Sequence, residues 1–205
     1  MGWRGRSLYV VVRELYAYTV PPSDSRTDAE LIAAVDAGDE RAFSVLYERY
    51  ADWTLRVAFR FLRQREDALD VVQETFLYLL GRFPGFRLTS RLTTYLYSVI
   101  RSLAITKLRK RRPLTGGAEE HSFDAVAVDD AQLFAWAVDD DLAVLLAPLT
   151  DAQREIVLMR FVDDLSPDEI AEALKIPVGT AKSRLHGAVE RLRASPAVRR
   201  YADEG

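Results

Sequence analysis

The chain has 205 residues, of which 49% are hydrophobic and 29% charged, with a formal net charge of −3. That length leaves room for two small hydrophobic cores, and the composition excludes a disordered chain. With no cysteine and two histidines, disulfide frameworks, thiolate metal sites and thiol catalysis are excluded, which fits a reducing compartment, the cytoplasm by default.

Residues 8–20 are the only markedly apolar stretch near the start, and Arg13 and Glu14 interrupt it. It is too short for a membrane anchor and lacks the cleavage signature of a signal peptide. Residues 1–26 are therefore read as an extension of unassigned role; a docking strand or helix and a start placed too far upstream both stay open.

Thr27 to Glu30 has the form of a capping box, which predicts a first helix ended by a left-handed stop at Gly38. Phe43, Leu46, Tyr47 and Tyr50 recur at spacings of three and four and predict a second. Ala68, Val71, Val72, Phe76, Leu79 and Leu80 predict a third, broken by Gly81 and Pro84. After a loop over 84–90, Leu92, Tyr95, Leu96, Val99, Leu103 and Ile105 carry a fourth to about Arg112, before Pro113. These four helices form one domain, 27–112.

Residues 87–112 hold eight Arg or Lys and no acid, whereas 113–141 hold eight Asp or Glu and no base. The first segment suits phosphates and the second would be repelled by them. Residues 113–141 open with Pro-Leu-Thr-Gly-Gly and read as an acidic linker, with some helix expected around Leu133, Phe134 and Trp136. The second domain, 142–205, has capping boxes at Thr150/Gln153 and Ser166/Glu169, with Pro167 at the first helical position. Three such boxes and no sustained alternation predict an all-α fold of two helical domains.

Ile170, Ala171 and Leu174 give one helix an apolar face, Ile176 to Gly179 reverse the chain, and Ala181, Leu185, Ala188, Val189 and Leu192 form the next core stripe. This is helix-turn-helix spacing. Opposite that stripe lie Lys182, Ser183 and His186, flanked by Thr180 and Arg184, donors suited to phosphates and base edges in a major groove. The plain alternative is a helical hairpin with a solvated basic face. Residues 86–112 interleave aromatics, hydroxyls and cations, the combination that captures unpaired bases. The competing reading is that Phe86, Tyr95 and Tyr97 are simply core.

At these residues the chain resembles the extracytoplasmic-function sigma factors, over roughly 28–112 and 142–195. Asp70-Val-Val-Gln73-Glu74-Thr-Phe76 is similar to the family segment that docks on the clamp helices of the polymerase β′ subunit, so the resemblance implies polymerase contact by Asp70, Gln73 and Glu74. It implies minus-ten capture by Phe86, Arg87, Thr89, Ser90, Arg91 and Tyr95, with phosphate contact by Arg101, Lys107, Arg109 and Lys110. It implies minus-thirty-five recognition by Thr180, Lys182, Ser183, Arg184 and His186. Implied partners are the RNA polymerase core through its β′ and β subunits, promoter DNA and an anti-sigma factor, with no cofactor, no metal, no membrane insertion and no enzymatic activity. The linker either threads a polymerase channel as a nucleic-acid mimic or is a tether.

The chain departs from the family pattern at Leu88, where Gly is usual, and at Tyr95 and Ser102, where Trp and Asn are usual. Gly187 stands where Arg is frequent; a close backbone approach to DNA there is expected to replace the lost contact. A conventional dimeric regulator is the main rival, and it accounts only for the C-terminal part. An enzyme is disfavoured by the lack of a phosphate-cradling loop and of side chains for a site.

Overall fold

The computed structural model describes residues 24–111 and 140–204, with side chains over 24–111 and 142–200, and these fall into two compact units. The expectations for residues 1–23 and for the acidic segment up to 139 lie outside the described residues. All regular structure among the described residues is helical.

The first unit comprises α1 (Asp28–Asp36), α2 (Glu40–Leu62), α3 (Arg65–Leu80) and α4 (Leu92–Arg111). Thr27 Oγ1 accepts from the Glu30 amide at 3.3 Å while Glu30 Oε2 accepts from the Thr27 amide at 2.6 Å, so two of the orphan donors at the α1 start are satisfied reciprocally. Gly38, at φ +93°, lets the chain reverse before Asp39 caps α2. Helix α2 packs against each of the other three. Its Leu46, Val57, Ala58 and Phe61 are buried with Leu31 of α1, Val71 and Leu79 of α3, and Leu96, Ile100 and Ile105 of α4. Each fully buried large aliphatic side chain contributes about 1.5–3 kcal/mol. Helix α4 is buried on most of its circumference between 92 and 105, and Tyr97 meets Phe61 edge-on with centroids 6.0 Å apart. The helical periods predicted the inward faces with two exceptions: Tyr47 and Leu80 are 42% and 45% exposed.

An electrostatic clasp ties the approach to α1 onto α2. Arg49 pairs with Asp28 at 2.7 Å and donates to the Asp24 and Arg26 carbonyls, and the Tyr50 hydroxyl donates to Asp28. The Arg26 side chain hydrogen-bonds Asp24 and holds its carboxyl down to about 2. Burial, and then the bond to Asp28, push the Tyr50 hydroxyl upward.

The second unit comprises α5 (Asp140–Leu146), α6 (Asp151–Phe161), α7 (Pro167–Leu174), α8 (Val178–Ala194) and α9 (Pro196–Glu204). The capping boxes at Thr150 and Ser166 both form. Leu142, Leu146, Ile156, Val157, Ile170, Leu174, Ala181, Ala188, Leu192 and Val198 make its core. The turn between α7 and α8 is shorter than the sequence predicted. Lys175 adopts φ 53° and ψ 45°, and the Lys175 and Ile176 amides close onto the α7 carbonyls of Glu172 and Ala171. Thr180 and Ala181 already donate to Pro177, so Gly179 belongs to the first turn of α8 and not to the reversal.

Candidate nucleic-acid interface

Residues 70, 73 and 74 are three and four positions apart, and on α3 they share one exposed face because Val71, Val72, Thr75 and Phe76 take the inward positions. Exposed leucines border Asp70, Gln73 and Glu74: Leu69, Leu77 and Leu80 are 40%, 66% and 45% exposed. Sequence reasoning missed Leu69 and Leu77 and counted Leu80 as core. The available signal was the spacing of Leu69 and Leu77, each four residues from Gln73, which places them on the same outer face.

The loop between α3 and α4 carries a chain of aromatic contacts. Phe86 lies 5.5 Å from Phe83 and 5.0 Å from Tyr95, centroid to centroid. Phe86 and Tyr95 are half-buried, while Arg87, Thr89 and Arg91 are exposed and Ser90 is partly exposed. The segment therefore presents π-faces, hydroxyls and guanidinium groups together. Phe83 was missed because it falls in the breaker sequence between Gly81 and Pro84. So was Asp36 of α1, whose Oδ1 accepts from the Gly85 amide at 2.5 Å; a contact across 49 residues leaves no local pattern.

The cations of α4 are not equivalent. Arg101 is 6% exposed, and its expected phosphate contact is corrected: position 101 lies within the span of α4 that packs inward, beside buried Ile100 and Ser102. Lys107 binds two acids of α3, Asp70 at 2.9 Å and Asp67 at 3.5 Å. Arg111 donates to Gln64 at 2.6 Å and pairs with Asp67. Arg109 is half-exposed and Lys110 exposed. A cation run that is free of acids along the chain is thus partly neutralised in space, and the structure joins Asp70 to Lys107 although the two were expected to serve different partners.

On α8, Lys182, Ser183 and His186 point outward, and Thr180 and Arg184 are half-exposed. Ser183 donates to the Thr180 carbonyl at 3.1 Å, leaving its oxygen able to accept. Lys182 approaches Asp168 only to 4.0 Å, with side chains 59% and 69% exposed, a contact too solvated to restrain it. Gly187 is half-buried, and a Cβ built there would lie 3.4 Å from Gln153 Nε2 of α6. The space a side chain would take at Gly187 is therefore bounded by the protein's own α6. Among the described residues no group of His, Asp or Glu could hold a metal ion, and no helix is long and apolar enough to cross a membrane.

Comparison with known proteins assigns both units. Residues 46–113 match the family model described as Sigma-70 region 2, and residues 139–192 match Sigma-70, region 4. The ECF RNA polymerase sigma factor SigW of Bacillus subtilis (strain 168) is 30% identical over 174 residues, covering 79% of this chain and 92% of that protein. The ECF RNA polymerase sigma-E factor of Escherichia coli (strain K12) is 28% identical over 191 residues, covering 87% of this chain and all of its own length. A solved structure of CnrH in complex with the cytosolic domain of CnrY shares the fold with a TM-score of 0.55 at 21% identity, covering 82% of this chain and 95% of CnrH.

Proposed function

The chain belongs to the extracytoplasmic-function sigma factors of the sigma-70 family, and on that premise we propose how its two units divide the reading of a promoter. As a sigma factor it is not an enzyme; it binds RNA polymerase core and directs promoter-specific initiation of transcription. In our reading the outer face of α3, with Asp70, Gln73 and Glu74, docks on the β′ clamp helices. The loop over 83–91 and Tyr95 capture an unstacked minus-ten base, with Arg87, Arg91, Arg109 and Lys110 on phosphates. Helix α8 reads the minus-thirty-five element through Lys182, Ser183 and His186, with Thr180 and Arg184 alongside.

The observation that carries this reading is the concentration of aromatic faces, exposed hydroxyls and exposed guanidinium groups on residues 83–95. Extracting a base costs a few kcal/mol, and stacking returns roughly 1–3 kcal/mol per base. Phosphate contacts supply the remainder, so capture and strand opening are one event. We also propose an inhibitory protein partner, in line with CnrH, which was solved with the cytosolic domain of CnrY.

The test is reconstitution with core polymerase, selection of bound DNA and mapping of transcript starts. Discrete starts preceded by two recurrent elements support the reading, and their absence overturns it. A conventional regulator would instead bind duplex operator without polymerase.

A further inference from the structure

We propose that Asp36 of α1 is the positioning residue for minus-ten base capture, acting through its hydrogen bond to the Gly85 amide. The proposal rests on the reading of residues 83–95 given above.

Asp36 is the last residue of α1, and that helix has no base in its final turn. An acid there faces the negative end of the helix dipole and is locally unfavourable. It also sets an anion beside a loop read as a DNA ligand. Neither effect favours the residue, whereas its long-range contact does: Asp36 Oδ1 meets the Gly85 N–H at 2.5 Å, 49 residues away. Side chains that break a local rule are expected where function demands it.

The place of that bond in the loop gives it its effect. Gly85 lies between Phe83 and Phe86, the two aromatics that with Tyr95 form the chain of ring contacts. Pro84 fixes its own φ, but Gly85 stands at φ +96°, with nothing within 4 Å of where a Cβ would be. Side-chain packing therefore does not hold that backbone in place. The Asp36 carboxylate restrains it through a charge-assisted bond. A loop ordered before the base arrives loses less conformational entropy on capture, and that saving appears as affinity for the unpaired strand.

The experiment uses the full chain in holoenzyme with Asp36→Ala and Asp36→Asn, probed with single-stranded minus-ten oligonucleotides, intact or carrying one abasic position at a time. Asp36→Ala is expected to bind the intact strand roughly three- to tenfold more weakly, the range for one ordinary hydrogen bond, because this one is exposed to water. Asp36→Asn, whose amide oxygen still accepts, should recover most of the loss. The deficit should vanish at the one abasic position that removes the captured base. The affinity of Asp36→Ala for core polymerase should be unchanged, and its thermal midpoint equal or raised. An intact-strand affinity equal to wild type, a deficit independent of which base is missing, or one that tracks a fall in thermal midpoint would each overturn the proposal. If the wild-type holoenzyme shows no preference for a minus-ten strand, the reading of residues 83–95 fails, and this inference with it.

Discussion

Exchanging both Asp70 and Glu74 for lysine separates polymerase docking from folding, and the structure sets the size of each effect. Asp70 pairs with Lys107 at 2.9 Å while its side chain is 57% exposed. Such a pair contributes about 0.2–1 kcal/mol, and reversing one charge replaces it with a repulsion of similar size. Lys107 keeps Asp67 at 3.5 Å, which limits the loss. Glu74 is exposed at the surface, so its exchange adds little. The expected destabilisation is about 1–2 kcal/mol against the roughly 5–15 kcal/mol of an ordinary domain, and the double variant stays folded. A charged anchor in an interface commonly contributes 2 kcal/mol or more, so affinity for core polymerase should fall by about thirtyfold or more. Urea unfolding followed by circular dichroism measures the first quantity, and competition for core polymerase by fluorescence anisotropy the second. A folded double variant that binds core polymerase like wild type would refute the assignment of this face. A loss of stability far above 2 kcal/mol would refute the treatment of the Lys107 pair as solvated.

Three other perturbations have worked directions. Gly187→Ala should raise stability by roughly 0.5–1 kcal/mol, because alanine is the better helix former and the only close neighbour of the new Cβ is the flexible end of Gln153; a lower calorimetric midpoint would show that Gln153 cannot give way. Thr75 is fully buried and its hydroxyl meets no hydrogen-bond partner among the described residues, so Thr75→Val should stabilise the first unit by about 1 kcal/mol, read as a rise in urea midpoint, whereas a drop would reveal a partner. The Asp24 and Glu30 carboxyls are both held below their ordinary values, Asp24 by the Arg26 hydrogen bond and Glu30 by the Thr27 amide. Their contribution is therefore present above the unfolded values near 4 and is lost as pH falls, for Asp24 down through about 2. Asp24→Asn with Glu30→Gln should flatten the fall in stability between pH 5 and pH 2.5, and an unaltered slope would place the acid sensitivity elsewhere.

Much of this molecule was legible as local pattern. Capping boxes depend on side chains three residues apart, so Thr27, Thr150 and Ser166 announced three helix starts that the structure forms as read. Apolar recurrence gave the helices of the first unit and the helix-turn-helix spacing of the second, because burial and helical pitch act through the same period. The same logic set Asp70, Gln73 and Glu74 on one exposed face of α3. It misplaced the turn before α8, which was read over Ile176 to Gly179 and instead reverses at Lys175 in the left-handed conformation.

What the chain order by itself determined was the set of helices, their ends and their polar faces, since each depends on neighbours within about one turn. Only the tertiary structure decided which charges are available. Arg101 sits inside its unit, Lys107 is held by Asp67 and Asp70, Gly187 lies against α6, and Asp36 holds Gly85. Each of those outcomes joins residues distant in the chain or depends on which side of a helix another helix covers, and packing of whole helices, not spacing along one of them, sets both.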